Sequence, residues 1–120
     1  IQSADKMGVW EIAKNVLDMA DKARNGALTP SEMQGGCFTV SSLGAIGGNG
    51  FTPIVNSPEI GILGVSKAQI NPVWVDSEFV PRLMLPLSLS YDHRLINGGN
   101  AGKFLTSIVR LLSDVRAMIL

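Results

Sequence analysis

FVPRLMLPLSLSYDHRLINGG, Phe79 to Gly99, changes its period twice, and those two changes decide the fold. Leu83, Leu85, Leu87 and Leu89 alternate with Met84, Pro86, Ser88 and Ser90, the period of a strand with one oilier face. The alternation stops at Tyr91 and a polar Asp92-His93-Arg94 follows. Beyond the glycine pair, Ala101, Phe104, Leu105, Ile108, Leu112 and Val115 fall on a single helical stripe. The spacing predicts one long strand over Phe79–Tyr91, with Pro81 and Pro86 marking an edge position or bulges. It then predicts a helix over Asn100–Met118. His93, the only histidine of the chain, stands at the join.

Working outward, Val9 to Asn25 reads as an amphipathic helix, with Ile12, Ala13, Val16, Leu17, Ala20 and Ala23 recurring at i, i+3 and i+4. Gly26 is its natural stop. In Thr29-Pro30-Ser31-Glu32, a capping threonine, a proline at the first helical position and a glutamate at the third predict one short turn. CFTVSS, Cys37–Ser42, is rich in β-formers and reads as a strand. LGAIGGNGFTPIVNSPE is a long loop. Glu59–Val75 resumes β character, broken near Asn71-Pro72, and Asp76-Ser77 reads as a hairpin turn. The order predicts a two-layer α+β domain over residues 1–120, an antiparallel sheet with helices on one face.

The bulk numbers exclude several classes. A chain of 120 residues holds one core. Ten basic and ten acidic residues cancel, so no basic stripe serves nucleic acid or an anionic membrane. No apolar run approaches the roughly 20 residues of a membrane span. Charged residues make up 17% of the chain and apolar ones 46%, against roughly 25% charged in average domains. That deficit predicts burial against copies of itself or against more of a larger domain. Ile1 in place of an initiator Met, with no signal-peptide character in IQSADK, is expected to mark an internal or processed piece of a cytoplasmic protein. A lone Cys37 fits a reducing compartment.

Few residues can carry chemistry. GAIGGNG invites a phosphate cradle, but FTPIVNSP follows it where the dinucleotide fingerprint needs a helix. A shaped loop crossing the sheet is the better reading. Cys37, in an apolar strand with no histidine or carboxylate nearby in sequence, reads as a small core hydrophobe. Trp10, Trp74, Phe51 and Phe104 read as core or interface anchors. One His and one Cys cannot supply three metal ligands, so no metal is expected. His93 remains. It is a satisfied histidine at a strand end, or a general base held neutral by partners such as Ser88, Ser90 and Asn97.

The run GGCFTVSSLGAIGG, FTPIVNSPE, ILGVSKA, PVW and EFVPRLMLPLSLSYDHRLINGG closely resembles the dihydrolipoyl acyltransferase core of the 2-oxo acid dehydrogenase complexes. Within that family it is most similar to the acetyl-transferring members of bacterial pyruvate dehydrogenase complexes. The motif DHR-x-x-[D/N]-G falls on Asp92 to Gly98, and the likeness covers the latter half of the family's catalytic domain. The resemblance implies a chloramphenicol acetyltransferase-like fold, a homotrimer with sites between subunits, and assembly into a larger core beside the dehydrogenase components. It implies acyl transfer between dihydrolipoamide, carried on a lipoyl domain, and CoA, in the cytoplasm or, in a eukaryote, the mitochondrial matrix. His93 would then be the base and Ser41 the oxyanion donor, with Ser42 its neighbour. Asn97, where the family commonly has aspartate, would brace the loop holding His93. Leu63 and Ser66 would lie along the pantetheine arm of CoA. The rival reading is a non-catalytic trimerisation or scaffold module of the same complex.

Overall fold

The computed structural model describes residues 1–46 and 48–118. The backbone divides into two compact units, Ile1–Cys37 and Phe38–Leu120, each built from its own local logic.

In the first unit, helix α1 spans Val9–Arg24. Gly26 takes a positive φ of 63°, which a side chain would resist. There the Ala27 N–H donates to the Lys22 carbonyl at 2.8 Å and the Gly26 N–H to Ala23 at 3.2 Å. That pair of bonds is the Schellman closure expected of a glycine stop. The turn after it also follows the sequence reading. Glu32 accepts from the Thr29 N–H and hydroxyl, both at 2.9 Å, while its own N–H donates to the Thr29 carbonyl. Lys22 Nζ reaches the same carboxylate at 2.5 Å, and this bond, with those from Thr29, holds Glu32 down at about 2.

In the second unit, β1 (Thr39–Ser42), β2 (Gly61–Val65) and β5 (Leu87–Tyr91) form one sheet in the order β1-β2-β5. A separate hairpin pairs β3 (Gln69–Val75) with β4 (Glu78–Met84). Asp76 and Ser77 both adopt positive φ, 47° and 72°, the turn that a two-residue hairpin loop requires. Helix α2 runs Gly98–Ser113. β2 is the centre of the unit: Ile62, Leu63, Gly61, Gly64 and the following Ser66 are buried.

The two glycines of β2 tell the faces apart. A side chain on Gly61 would meet the Phe38 ring at 3.0 Å, and one on Gly64 would meet the Phe51 ring at 2.9 Å. Positions three apart on a strand point to opposite faces. Phe38 packs edge-on against Phe104 of α2, ring centres 5.6 Å apart, so Gly61 marks the helix side. Paired residues share a face, which places Tyr91, paired with Gly61, and Leu63, paired with Leu89, on the helix side. Ser41, Gly64 and Ser88 form one row on the other side, under Phe51.

Five expectations need correcting. The long strand Phe79–Tyr91 is two strands in different sheets, because Pro86 has no N–H to continue a ladder; its carbonyl instead accepts from the Ser66 N–H at 3.1 Å. The break expected at Asn71-Pro72 lies instead at Ser66–Ala68, and Pro72 sits inside β3 opposite Pro81, tolerable because a two-stranded ribbon is all edge. The sheet is mixed, since β1 runs parallel to β2 with the glycine loop as its crossover. Cys37 lies outside β1 and is exposed, because Gly35 at φ 81° delays the strand to Thr39. The second helix begins earlier than Asn100, since Asn97 caps it, and its last turn is a short 3-10 piece, Val115–Met118.

Large apolar side chains stay uncovered. Trp10 is 90% exposed, Leu83 73% and Val40 64%, which is far from what a finished domain leaves open.

Candidate active site

His93 follows β5 by two residues, in a turn fixed at each neighbouring position. The Asp92 N–H donates to the Ile60 carbonyl at 2.9 Å, and the Asp92 carbonyl accepts from Leu95 and Ile96 at 3.1 and 2.9 Å. The Asp92 carboxylate accepts from the Arg94 N–H at 2.9 Å. Arg94 also grips both carboxylate oxygens through Nε at 2.9 and 3.1 Å and through Nη2 at 2.6 Å. These bonds from Arg94, its side chain first and its backbone second, hold Asp92 at about 2, and the carboxylate in turn raises Arg94. Opposite charges two residues apart close the turn, so His93 between them projects outward and is exposed. The flanking pair is internally neutral, which leaves the imidazole outside any ion pair.

Asn97 ends the turn and starts α2. Its Oδ1 accepts from the Asn100 N–H at 2.8 Å, and its carbonyl takes the first helical bond, from Ala101 at 3.1 Å. That is an N-cap. The Tyr91 ring lies beside His93, centres 5.6 Å apart and planes tilted by 40°.

His93 opens onto a cleft of about 570 Å³ shared with Val55, Glu59, Tyr91, Asp92 and Leu95. The Glu59 carboxylate there accepts from the Thr39 hydroxyl at 2.5 Å, tying the cleft to the start of β1. A groove of about 610 Å³ lies between the hairpin and α2, lined by Leu83, Met84, Leu85, Val109 and Leu112 among others. It is chiefly apolar, with Arg82 and Ser113 as its polar lining.

Ser41 is elsewhere. It is three ladder rows from Tyr91, two strands across, and on the opposite face of the sheet. At roughly 3.3 Å per residue and about 4.8 Å per strand, that is about 10 Å along and about 10 Å across. Ser42 is exposed, and its hydroxyl accepts from the Gly44 N–H at 3.2 Å. Leu63 is 7% exposed and Ser66 4%, so both lie inside the unit. Ser88 and Ser90, expected as partners of the ring, face away from Tyr91. Among the described residues, no group of three or more His, Cys, Asp and Glu is placed to hold a metal ion.

Sequence reasoning had Asn97 as a brace but missed the Asp92–Arg94 fork, which opposite charges at i and i+2 could have signalled. It also missed Tyr91, Glu59 with Thr39, and the Phe51 ring over Gly64. The last two join segments far apart in sequence and leave no local trace.

The profile of the family described as 2-oxoacid dehydrogenases acyltransferase (catalytic domain) matches residues 1–120. The dihydrolipoyllysine-residue acetyltransferase component of the pyruvate dehydrogenase complex from Pseudomonas aeruginosa is 57% identical over 120 residues, all of this chain and 22% of that protein. Among solved structures, dihydrolipoamide acetyltransferase from Azotobacter vinelandii superposes with a TM-score of 0.95 at 53% identity, over all of this chain and 49% of that one. In that enzyme a serine, a histidine and an asparagine are the residues whose role in the catalytic mechanism is at issue. The cubic core of a pyruvate dehydrogenase multienzyme complex matches with a TM-score of 0.92 at 55% identity, over 97% of this chain and 48% of that one. The chain thus spans about half the length of the solved chains it matches and 22% of the Pseudomonas relative. Among the described residues no helix is long and apolar enough to cross a membrane.

Proposed function

The chain belongs to the catalytic-domain family of the 2-oxoacid dehydrogenase acyltransferases, and from that premise we propose that it moves an acetyl group from S-acetyldihydrolipoamide to CoA. His93 removes the proton from the CoA thiol, because the thiolate is the competent nucleophile. The thiolate attacks the thioester carbonyl, and the Ser41 hydroxyl donates to the oxyanion that forms. Collapse breaks the bond to the dihydrolipoamide sulfur, which leaves with the proton that His93 returns. Asn97 acts by capping α2 and so holding the turn. Leu63 and Ser66 are buried, so they back the wall of the CoA channel. Ser42 stands beside Ser41 at its rim.

One observation carries this reading. In the Azotobacter enzyme the serine named for the mechanism lies fifty-two positions before the histidine, and the asparagine four after it. Ser41, His93 and Asn97 have the same two separations. An asparagine after the histidine is therefore shared with that enzyme.

The separation of Ser41 from His93 within one chain then has a direct consequence. Reacting atoms must lie about 3–3.5 Å apart, and no rotamer of either residue spans the sheet. The site is formed between copies, His93 of one facing Ser41 of the next, in a homotrimer built into a larger core. The exposed apolar surface supports such assembly. Lipoyl domains and the dehydrogenase components would be its working partners, in the cytoplasm of a bacterium.

The test is His93→Ala in the intact protein, assayed for acetyl transfer from S-acetyldihydrolipoamide to CoA. A fall in kcat of about 10²–10⁴ is expected for losing a general base. Near-wild-type turnover with assembly intact would favour a scaffold role and overturn the proposal.

A further inference from the structure

We infer that Tyr91 is a positioning residue for the His93 imidazole, an inference that rests on the acyltransferase reading above. The turn from Asp92 to Asn97 is fastened through backbone bonds and the Asp92–Arg94 fork. Those contacts set where His93 leaves the chain but not where its ring points. The imidazole makes no hydrogen bond among the described residues and is exposed. Two torsions would be free, and a base whose ring wanders loses the attack geometry on which its rate depends.

The Tyr91 ring supplies the missing constraint. It lies 5.6 Å from the imidazole centre at a 40° tilt, within the range where aromatic pairs attract. Tyr91 is itself held. It is the last residue of β5, paired with Gly61 of the buried β2. Its hydroxyl reaches the first turn of α2, 3.6 Å from where a side chain on Gly98 would begin. The ring therefore spans strand end, imidazole and helix start. The ring limits the orientations open to the imidazole, and both side chains line the cleft of about 570 Å³.

The experiment compares Tyr91→Phe and Tyr91→Leu in the intact protein, measuring kcat, KM for CoA, and sedimentation of the assembled core. Tyr91→Leu should lower kcat by about two- to tenfold, the rate equivalent of a lost aromatic pair, with KM and sedimentation unchanged. Tyr91→Phe, which keeps the ring, should restore kcat to near wild type. Wild-type kcat in Tyr91→Leu would overturn the inference. An equal loss in Tyr91→Phe would overturn it as well, because the hydroxyl and not the ring would then be the operative group. Should Tyr91→Leu fail to assemble, Tyr91→Met takes its place under the same two criteria. His93→Ala in the same assay separates the levels. If it leaves turnover intact, the acyltransferase reading itself falls; if it abolishes turnover while Tyr91→Leu is normal, only the role of Tyr91 falls.

Discussion

Mixing two inactive variants should restore activity if His93 and Ser41 of one site come from different copies. Ser41 and Tyr91 lie three rows apart on strands separated by β2, and their side chains leave opposite faces. The separation is about 10 Å in each of two directions, and His93 is two residues further on. A serine hydroxyl and an imidazole cannot both reach one thioester carbonyl across that distance. Each single variant should be crippled: His93→Ala by about 10²–10⁴, and Ser41→Ala by about 10²–10³ for an oxyanion donor.

In a mixed ring, however, a subunit carrying Ser41→Ala still offers its histidine, and a neighbour carrying His93→Ala still offers its serine. Random assembly of equal amounts in a cyclic oligomer makes about one site in four complete. Co-expression with two different tags, double purification and the CoA acetylation assay would measure it. The expected recovery, near a quarter of wild type, stands well above the residual activity of either variant. If the mixed core is no more active than the better single variant, both groups come from one copy. The ladder argument would then be wrong.

Other consequences are more local. Ser41→Ala should lower kcat and leave KM for CoA nearly unchanged, since the hydroxyl meets charge only in the transition state; steady-state kinetics would show a KM effect if it merely binds substrate. Gly64→Ala would place a methyl 2.9 Å from the Phe51 ring, and chemical denaturation should record a loss of about 1–3 kcal/mol for overpacking a buried site. Asn97→Ala should cost about 0.5–2 kcal/mol as a lost N-cap, with Asn97→Asp close to wild type because a carboxylate caps equally well; equal losses in the two would deny the capping role. Asp92 sits at about 2 instead of 3.8, so its contribution is complete above pH 3.8 and fades as pH falls toward about 2. Acid unfolding of Asp92→Asn should therefore be flatter through that window than the wild type.

What was legible in the sequence was whatever a single segment decides alone. Gly26 needed only its own freedom at positive φ, Thr29 and Glu32 only each other, and Asp76-Ser77 only the geometry of a two-residue turn. The sheet failures came where two segments compete, whereas the cap at Asn97 and the Asp92–Arg94 fork were local and went unread. Leu83, Leu85, Leu87 and Leu89 keep one unbroken alternation, and nothing in that pattern says that Pro86 hands the chain from one sheet to another. The proline reads as an edge marker because its missing N–H is compatible with several arrangements. Which one occurs depends on Ser66, twenty positions earlier, whose N–H takes the Pro86 carbonyl. The parallel pairing of β1 with β2 was hidden for the same reason: the glycine loop between them carries turn residues, and its role as a crossover exists only once β2 is central.

The site divides along that same line. His93 stood out as a possible base four positions before Asn97, whose cap is a local bond, but the roles of both were read from the resemblance. Ser41 drew no attention at all without that resemblance. Its relation to His93 runs through two strand pairings and, on the present reading, through a boundary between copies. On that reading the fifty-two positions between Ser41 and His93 follow from no local rule and carry meaning only beside a relative with the same separation. The oily surface has two claimants: the other half of the domain in the solved chains, of which this chain spans about half, and, on the proposed reading, the neighbouring copy. Val40 and Leu83, exposed here, are open to either.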